Sequence, residues 1–537
     1  MIVNRTKIHA LMDPAFQLVP CLSSKIADQM RRDGLSSAAA RQRISRAIKS
    51  GALRRLGIVE FPNRESFLFT DEDRKNGRFV ERLFWALEET NSAPLHAIHS
   101  LNARGGLLQF PHFGIASGSP QNLKGHISSE RLLRFMTTYG LASVRELSDL
   151  GSCIQLSEIV PLDADPSAHH LRARLVAEGI VISYLVDHFR RLGLIGYESA
   201  RTRNGDEEPE FGHFLWDVTA PSYMHPFVLR RQGTHPLPGF FVADVVLGPP
   251  LSKAQVQYFA KKNQVTRSQP NSRPFMSALV AHSFEKSAWD FLRREGILAV
   301  TSTNLLGEDL AAALRSLIET LSNAAAVACS RPEAIWELFG KLSAIEGAAA
   351  NLRGPLFEMI VAHCVCQREG NSVDIGREVF SEETKDRTNI DVLRVKEKQE
   401  VAAYECRGHA GSVKVGRTEV ERWLNQTIPC IRDYLRRQDR FQNAKQIFEF
   451  WTTGELNDDA ARCLAQAAER TKKYEIRCRD GAAVLEYVRS IKSTYLTDVL
   501  NEQYLKTPVA KAVASKERTN DSREDNYSKS EKGSVGG

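Results

Sequence analysis

Residues 351–495 switch repeatedly between two hydrophobic periods, and that alternation restricts the fold more than any other feature of the chain. Gly354 and Pro355 mark a turn before a helix, with the proline near its first turn. Period-two runs predict strands over 372–380, 389–395 and 400–407. A helix over 418–435, a strand over 445–452, a helix over 458–471, a strand over 475–479 and a helix over 482–490 follow. A meander flanked by helices builds an α/β sandwich and not a doubly wound sheet.

Within the meander, Asp391 opens one strand, and Glu405 and Arg407 close the next. The turn between them, 396–399, is rich in charge. Antiparallel pairing places the start of one strand beside the end of its neighbour, so Asp391 and Glu405 should meet at one end of the sheet. Two carboxylates held close repel each other and favour a divalent cation, Mg²⁺ or Mn²⁺. Such an ion can activate water against a phosphodiester. Each residue also has an ordinary reading. Glu358 suits the first turn of a helix through the dipole. Asp391 could cap a turn. Glu405 and Arg407, two apart on a strand, share a face and could form a surface ion pair. His409 lies in a glycine-flanked loop, placed to contact phosphate or simply solvated.

These residues and this order of elements resemble the PD-(D/E)XK nuclease superfamily, the restriction-endonuclease-like fold, over about 145 residues. Its pattern is a helix Glu, a strand Asp, then Glu-x-Lys on the next strand. Glu358, Asp391 and Glu405 match, and Arg407 stands at the lysine position. The resemblance implies a Mg²⁺- or Mn²⁺-dependent DNA endonuclease. Asp391 and Glu405 would be its metal ligands, with Glu358 assisting and Arg407 stabilising the phosphate. It also implies a role in restriction or defence against foreign DNA, and a homodimer for double-strand cleavage. Arginine keeps its charge but cannot release a proton, and Lys414 follows in the next loop. The alternative is therefore a DNA-binding regulator, or a subunit working with defence-complex partners, whose nuclease fold is catalytically inactive. RNA remains open as a substrate.

Residues 16–75 read as helices followed by a hairpin. Helices are expected over 23–33 and from Ser36 or Ser37 to Ser50, then strands over 53–60 and 66–70 around Pro62, Asn63 and Arg64. The second helix carries Ala40, Ile44, Ala47 and Ile48 on one stripe, with Gln42, Ser45, Arg46 and Lys49 opposite. This order resembles a winged helix-turn-helix domain, which implies that Arg41, Gln42, Ser45, Arg46 and Lys49 face double-stranded DNA and that Arg64 lies near the wing tip. Between Lys25 and Arg55 nine Lys/Arg outnumber two acids, which suits a phosphate backbone. A solvated basic helix or a protein-docking surface is the other reading.

The expected organisation is multidomain, α/β plus α+β. An N-terminal winged helix (1–77) precedes a helical region with a second helix-then-wing pattern (78–220). A central α/β region (221–321) follows, with Asp244 and Lys261 or Lys262 as remnants of a degenerate nuclease-like site and Gln255 and Gln257 on its strand. An alanine-rich helical spacer (322–350) leads to the C-terminal restriction-endonuclease-like sandwich (351–495), and a disordered tail (507–537) ends the chain. Nine cysteines without framework spacing, and no signal-peptide core, predict a reducing cytoplasm. No apolar run is long enough to span a membrane. Nucleotide-hydrolase, serine-hydrolase and zinc-protease motifs are absent from the sequence.

Overall fold

The computed structural model describes residues 14–505 apart from 60, 77, 197–198, 225–227, 229–236, 331, 344, 346–347, 370–371, 397–398 and 410–412. The architecture is mixed α/β, and the chain divides into two units at Ile318 and Glu319.

The first unit opens with strand β1 (Cys21–Leu22) and helices α1 (Ser23–Arg32) and α2 (Ser37–Lys49). The Ser36 hydroxyl accepts from the Ala39 amide and starts α2. Ala40, Ile44 and Ala47 bury one side of α2 against Ile26 and Met30 of α1. Strands β2 (Arg54–Arg55) and β3 (Phe67–Phe69) complete an antiparallel sheet in the order β1-β3-β2. The strand expected over 53–60 stops early, because Ile58 takes a φ of 75°. Segment 78–160 is only partly helical. Its helices Arg78–Thr90, Ala93–Asn102 and Ser129–Thr138 accompany a three-stranded sheet of Leu107–Gln109, Ala142–Leu147 and Gly151–Leu156.

The rest of this unit is one α/β body. Helix α3 (Ala168–Arg191) leads to β4 (Arg201–Thr202), β5 (Val218–Ser222) and β6 (Gly239–Val246). Helix α4 (Lys253–Ser268), β7 (Phe275–Ala281), α5 (Lys286–Arg294) and β8 (Leu298–Thr301) follow. The sheet runs β8-β7-β6-β5-β4, antiparallel across β4, β5 and β6 and parallel across β6, β7 and β8. The boundary expected at 220 is therefore corrected: β5 pairs with β6 along its length, so the second helix-then-wing pattern is the first half of this sheet. Gln255 and Gln257 are likewise corrected from strand to helix, since Ser252 and Gln255 form a capping box that opens α4.

In the second unit, helices Ala324–Ser330 and Pro332–Ser343 pack on α6 (Ala348–Glu369). His363 Nδ1 lies 2.9 Å from the Ala328 carbonyl, and Trp336 meets the His363 ring edge-on. The alanine-rich stretch is thus part of the unit and not a spacer, and Pro355 sits inside α6, well past its start. Next come β9 (Ser372–Phe380), β10 (Arg387–Lys396), β11 (Glu400–Arg407), α7 (Arg417–Arg422), a π-helical turn Trp423–Thr427 and α8 (Ile428–Arg437). Pro429 lacks an amide hydrogen, which frees a carbonyl in that turn and accounts for its widening. Then β12 (Lys445–Thr452), α9 (Asp458–Arg470), β13 (Glu475–Arg479), α10 (Gly481–Ser490) and α11 (Thr494–Leu500) follow.

The sheet order is β9-β10-β11-β12-β13, antiparallel over the first three strands and parallel over the last three. Val401 through Cys406 are all buried, because helices cover both faces. Val401, Ala403, Phe448 and Phe450 pack against Val420, Trp423 and Ile431 on one of them. The unit extends past 495: Tyr504 is fully buried, and its hydroxyl donates to the Arg353 carbonyl at 2.7 Å. The expected disordered tail lies outside the described residues.

Candidate functional site

The β10–β11 ladder runs as far as Val392 opposite Tyr404, one step short of Asp391 and Glu405. The two carboxylates therefore leave the sheet side by side, on the face shared with Ala403. Asp391 Oδ2 accepts from the Cys406 amide at 2.8 Å, which fixes its direction. Arg407, two residues past Glu405, projects on the same face. Its Nη2 bonds Glu405 Oε1, its Nη1 lies 3.6 Å from Asp391 Oδ2, and Nη1 also donates to the Cys406 carbonyl at 3.2 Å. Its Nε sits 2.9 Å from Glu419 Oε1, brought in by α7.

Glu358 arrives from α6. Gly408 permits that approach, because a Cβ there would lie 2.8 Å from Phe357 Cβ and 2.9 Å from the Arg353 carbonyl. Burial, then Asp391, Glu358 and Glu405 together, push the Cys406 thiol well above its ordinary range. Asp391 and Glu405 are brought together, whereas Glu358 is linked to them only through the field it exerts on Cys406, whose side chain points to the opposite face of β11. Glu405 is nearly buried, and burial followed by the Asp391 charge pushes its pKa up to about 8 against the opposing pull of Arg407 and Arg422. Just beyond the site, the Thr453 amide donates to the Arg407 carbonyl at 3.1 Å, and the His409 amide donates to Thr453 Oγ1 at 2.8 Å.

Among the described residues no group of three or more His, Cys, Asp or Glu side chains is arranged to hold a metal ion. The oxygens suited to one, from Asp391, Glu405 and the Cys406 carbonyl, face the Arg407 guanidinium, a cation standing among them. With every group ionised, Asp391, Glu405 and Glu419 face Arg407 and Arg422, an excess of one acid. In donor chemistry alone, carboxylate and carbonyl oxygens are the ligand type that Mg²⁺ or Mn²⁺ takes.

Sequence reasoning did not single out Glu419. Its only signal is an acid in the first turn of a helix, and that is commonplace. Lys414 is exposed on the two-residue strand Lys414–Val415, which pairs with Glu455–Leu456, and plays no part in the cluster. Asp244 and Lys262 form a fully buried pair at 2.7 Å, whereas Lys261 is exposed.

On α2, Arg41, Gln42, Ser45, Arg46 and Lys49 are all exposed, opposite the buried stripe. No acid pairs with Arg41, Arg46 or Lys49 among the described residues. Others in the basic stretch are partly neutralised: Lys25 by Glu89, Arg31 by Asp28 and Arg54 by Asp71. Arg64 ends the short turn Pro62–Arg64, and its side chain lies outside the described residues. No described helix is long and apolar enough to cross a membrane. Compared with protein-family models, curated proteins and solved structures, the chain matches none of them.

Proposed function

We propose that the second unit is a metal-dependent phosphodiesterase of the PD-(D/E)XK kind acting on DNA, and that residues 14–75 are a winged helix whose second helix engages the duplex. One observation carries the catalytic half: Asp391 and Glu405 stand side by side at a strand end, in a cluster whose acids outnumber its cations. Asp391, Glu405 and the Cys406 carbonyl would hold Mg²⁺ or Mn²⁺. Bound there, the ion supplies an acidified water and a counter-charge for phosphoryl oxygens. Asp391 is kept in place by the Cys406 amide. Glu405 holds its proton near neutral pH and gives it up to an incoming cation. Arg407, anchored by Glu419, donates to a phosphoryl oxygen with a charge that no accessible pH removes. Glu358 accepts a proton from water beside the strand end. The exposed α2 face, with unpaired Arg41, Arg46 and Lys49, supports the DNA half through phosphate contacts, while Gln42 and Ser45 suit base edges.

Incubating the full chain with supercoiled plasmid and Mg²⁺ or Mn²⁺, beside Asp391→Ala and Glu405→Ala, tests this. Nicking that both substitutions abolish supports it, and nicking that survives them removes it. A second reading has its own observation, the Arg407 guanidinium lying across both carboxylates. If that pairing is permanent, the unit is an inactive nuclease fold in a DNA-binding regulator or defence-complex subunit. DNA binding without cutting, unchanged by metal, selects that reading.

A further inference from the structure

The two five-stranded sheets share more than strand order. Each begins with a long helix, α3 or α6, followed by an antiparallel run of three strands. Each then continues through helix, parallel strand, helix and parallel strand. The β5–β6 ladder ends at Val218 opposite Ala243, one step short of Asp217 and Asp244. That is the position Asp391 and Glu405 occupy beyond Val392 and Tyr404. Asp217 Oδ2 accepts from the Val245 amide at 2.7 Å, as Asp391 Oδ2 accepts from Cys406 at 2.8 Å. In both cases the donor is the residue after the acid of the third strand. Glu178 lies at the same depth along α3 as Glu358 along α6, and it accepts from the Leu247 amide at 3.2 Å near the same strand end.

The cations differ. The position matching Arg407 is Val246. The positive charge comes instead from α4: Lys262 Nζ lies 2.7 Å from Asp244 Oδ2, 3.4 Å from the Ile115 carbonyl and 4.0 Å from the centre of the Trp216 ring. A carboxylate, a carbonyl and an aromatic face therefore surround one ammonium. Arg203 bridges Glu178 at 2.6 Å and Asp217 at 3.1 Å. Arg174 lies 3.6 Å from Glu178, and Arg104 adds its field. Three carboxylates meet four cations, so no negative surplus is left. Asp217, Asp244 and Lys262 are wholly buried, and residues 104–118 help to cover them.

We infer that residues 168–301 and 348–479 are two versions of one α/β design, and that Lys262 is a built-in cation where the second version would take a metal ion in competition with the Arg407 guanidinium. Of the two acid pairs, Asp391 and Glu405 are then the metal-competent one and Asp217 and Asp244 are not. That assignment rests on the proposed function.

Mn²⁺ binding to the full chain, followed by electron paramagnetic resonance, separates the parts. Binding lost in Asp391→Asn/Glu405→Gln and retained in Asp244→Asn/Lys262→Met is the expected result. Binding that survives the first double substitution and disappears in the second overturns the inference. If no form binds Mn²⁺, the metal reading of Asp391 and Glu405 fails, and urea unfolding decides the built-in cation by itself. Lys262→Met alone should lower the midpoint sharply or prevent folding, and adding Asp244→Asn should restore most of it. A double variant no more stable than Lys262→Met overturns the inference.

Discussion

Arg407 Nε meets Glu419 Oε1 at 2.9 Å, and this contact ties the end of β11 to the first turn of α7. The same guanidinium lies across Asp391 and Glu405. A group in that position both competes with a metal ion and charges the surface where a phosphate would sit. Arg407→Ala should therefore move two measurements in opposite directions. Mn²⁺ should bind more tightly, and plasmid nicking should slow by about a hundredfold, the scale for losing one charged donor. Isothermal titration and nicking rates on one preparation check both.

Glu419→Gln releases the anchor but leaves the cluster's geometry on β10 and β11. The ion pair is partly exposed, so the stability cost should be about 1 kcal/mol or less by urea unfolding. Nicking should fall by about tenfold through the loosened Arg407, with DNA affinity unchanged.

The raised pKa of Glu405 sets a pH dependence with a definite sign. Its folded value, about 8, lies above the ordinary 4.5. Between these values the folded protein holds a proton that the unfolded chain has lost, so metal-free stability falls as pH rises through this window. Metal binding must displace that proton, so Mn²⁺ affinity should rise by about tenfold per pH unit up to about 8 and then level off. Glu405→Gln should flatten the stability curve over the same range. Calorimetry at several pH values reads both effects.

On α2, Arg46→Ala and Lys49→Ala should each weaken duplex binding across all sequences and reduce the salt slope by about one. Gln42→Ala should instead change preference among sequences with little change in slope. Fluorescence anisotropy over a salt series distinguishes the two behaviours.

Gly118 has a φ of 66°, and a Cβ there would lie 3.0–3.1 Å from the Tyr258 backbone and Cβ. Gly118→Ala combines left-handed strain with a contact that α4 cannot relieve, and should cost about 2 kcal/mol. A lower thermal midpoint with unchanged nicking is the expected outcome.

The meander was legible because long strands show their period, and antiparallel pairing then dictates that Asp391 and Glu405 meet. The pairing of Asp244 with a lysine from the next helix was half legible, since Lys261 and Lys262 differ only in which side of α4 they face. Two-residue strands such as Arg201–Thr202 carry no period at all, so residues 166–218 looked like a separate wing. Glu419 escaped notice because a first-turn acid resembles any other until the arginine it anchors is placed. The helices over 324–343 looked like a spacer because small side chains give a weak apolar stripe, although Ile335, Trp336 and Leu342 are buried.

The Tyr504 hydroxyl on the Arg353 carbonyl, and the two helices laid on α6, set the limits for excising the second unit. A fragment trimmed to 351–495 would strip α6 along one side and unfasten it near Arg353, next to Glu358. Whatever chemistry Asp391 and Glu405 perform, a recombinant piece intended to retain it must reach back to about residue 319 and forward through Leu505.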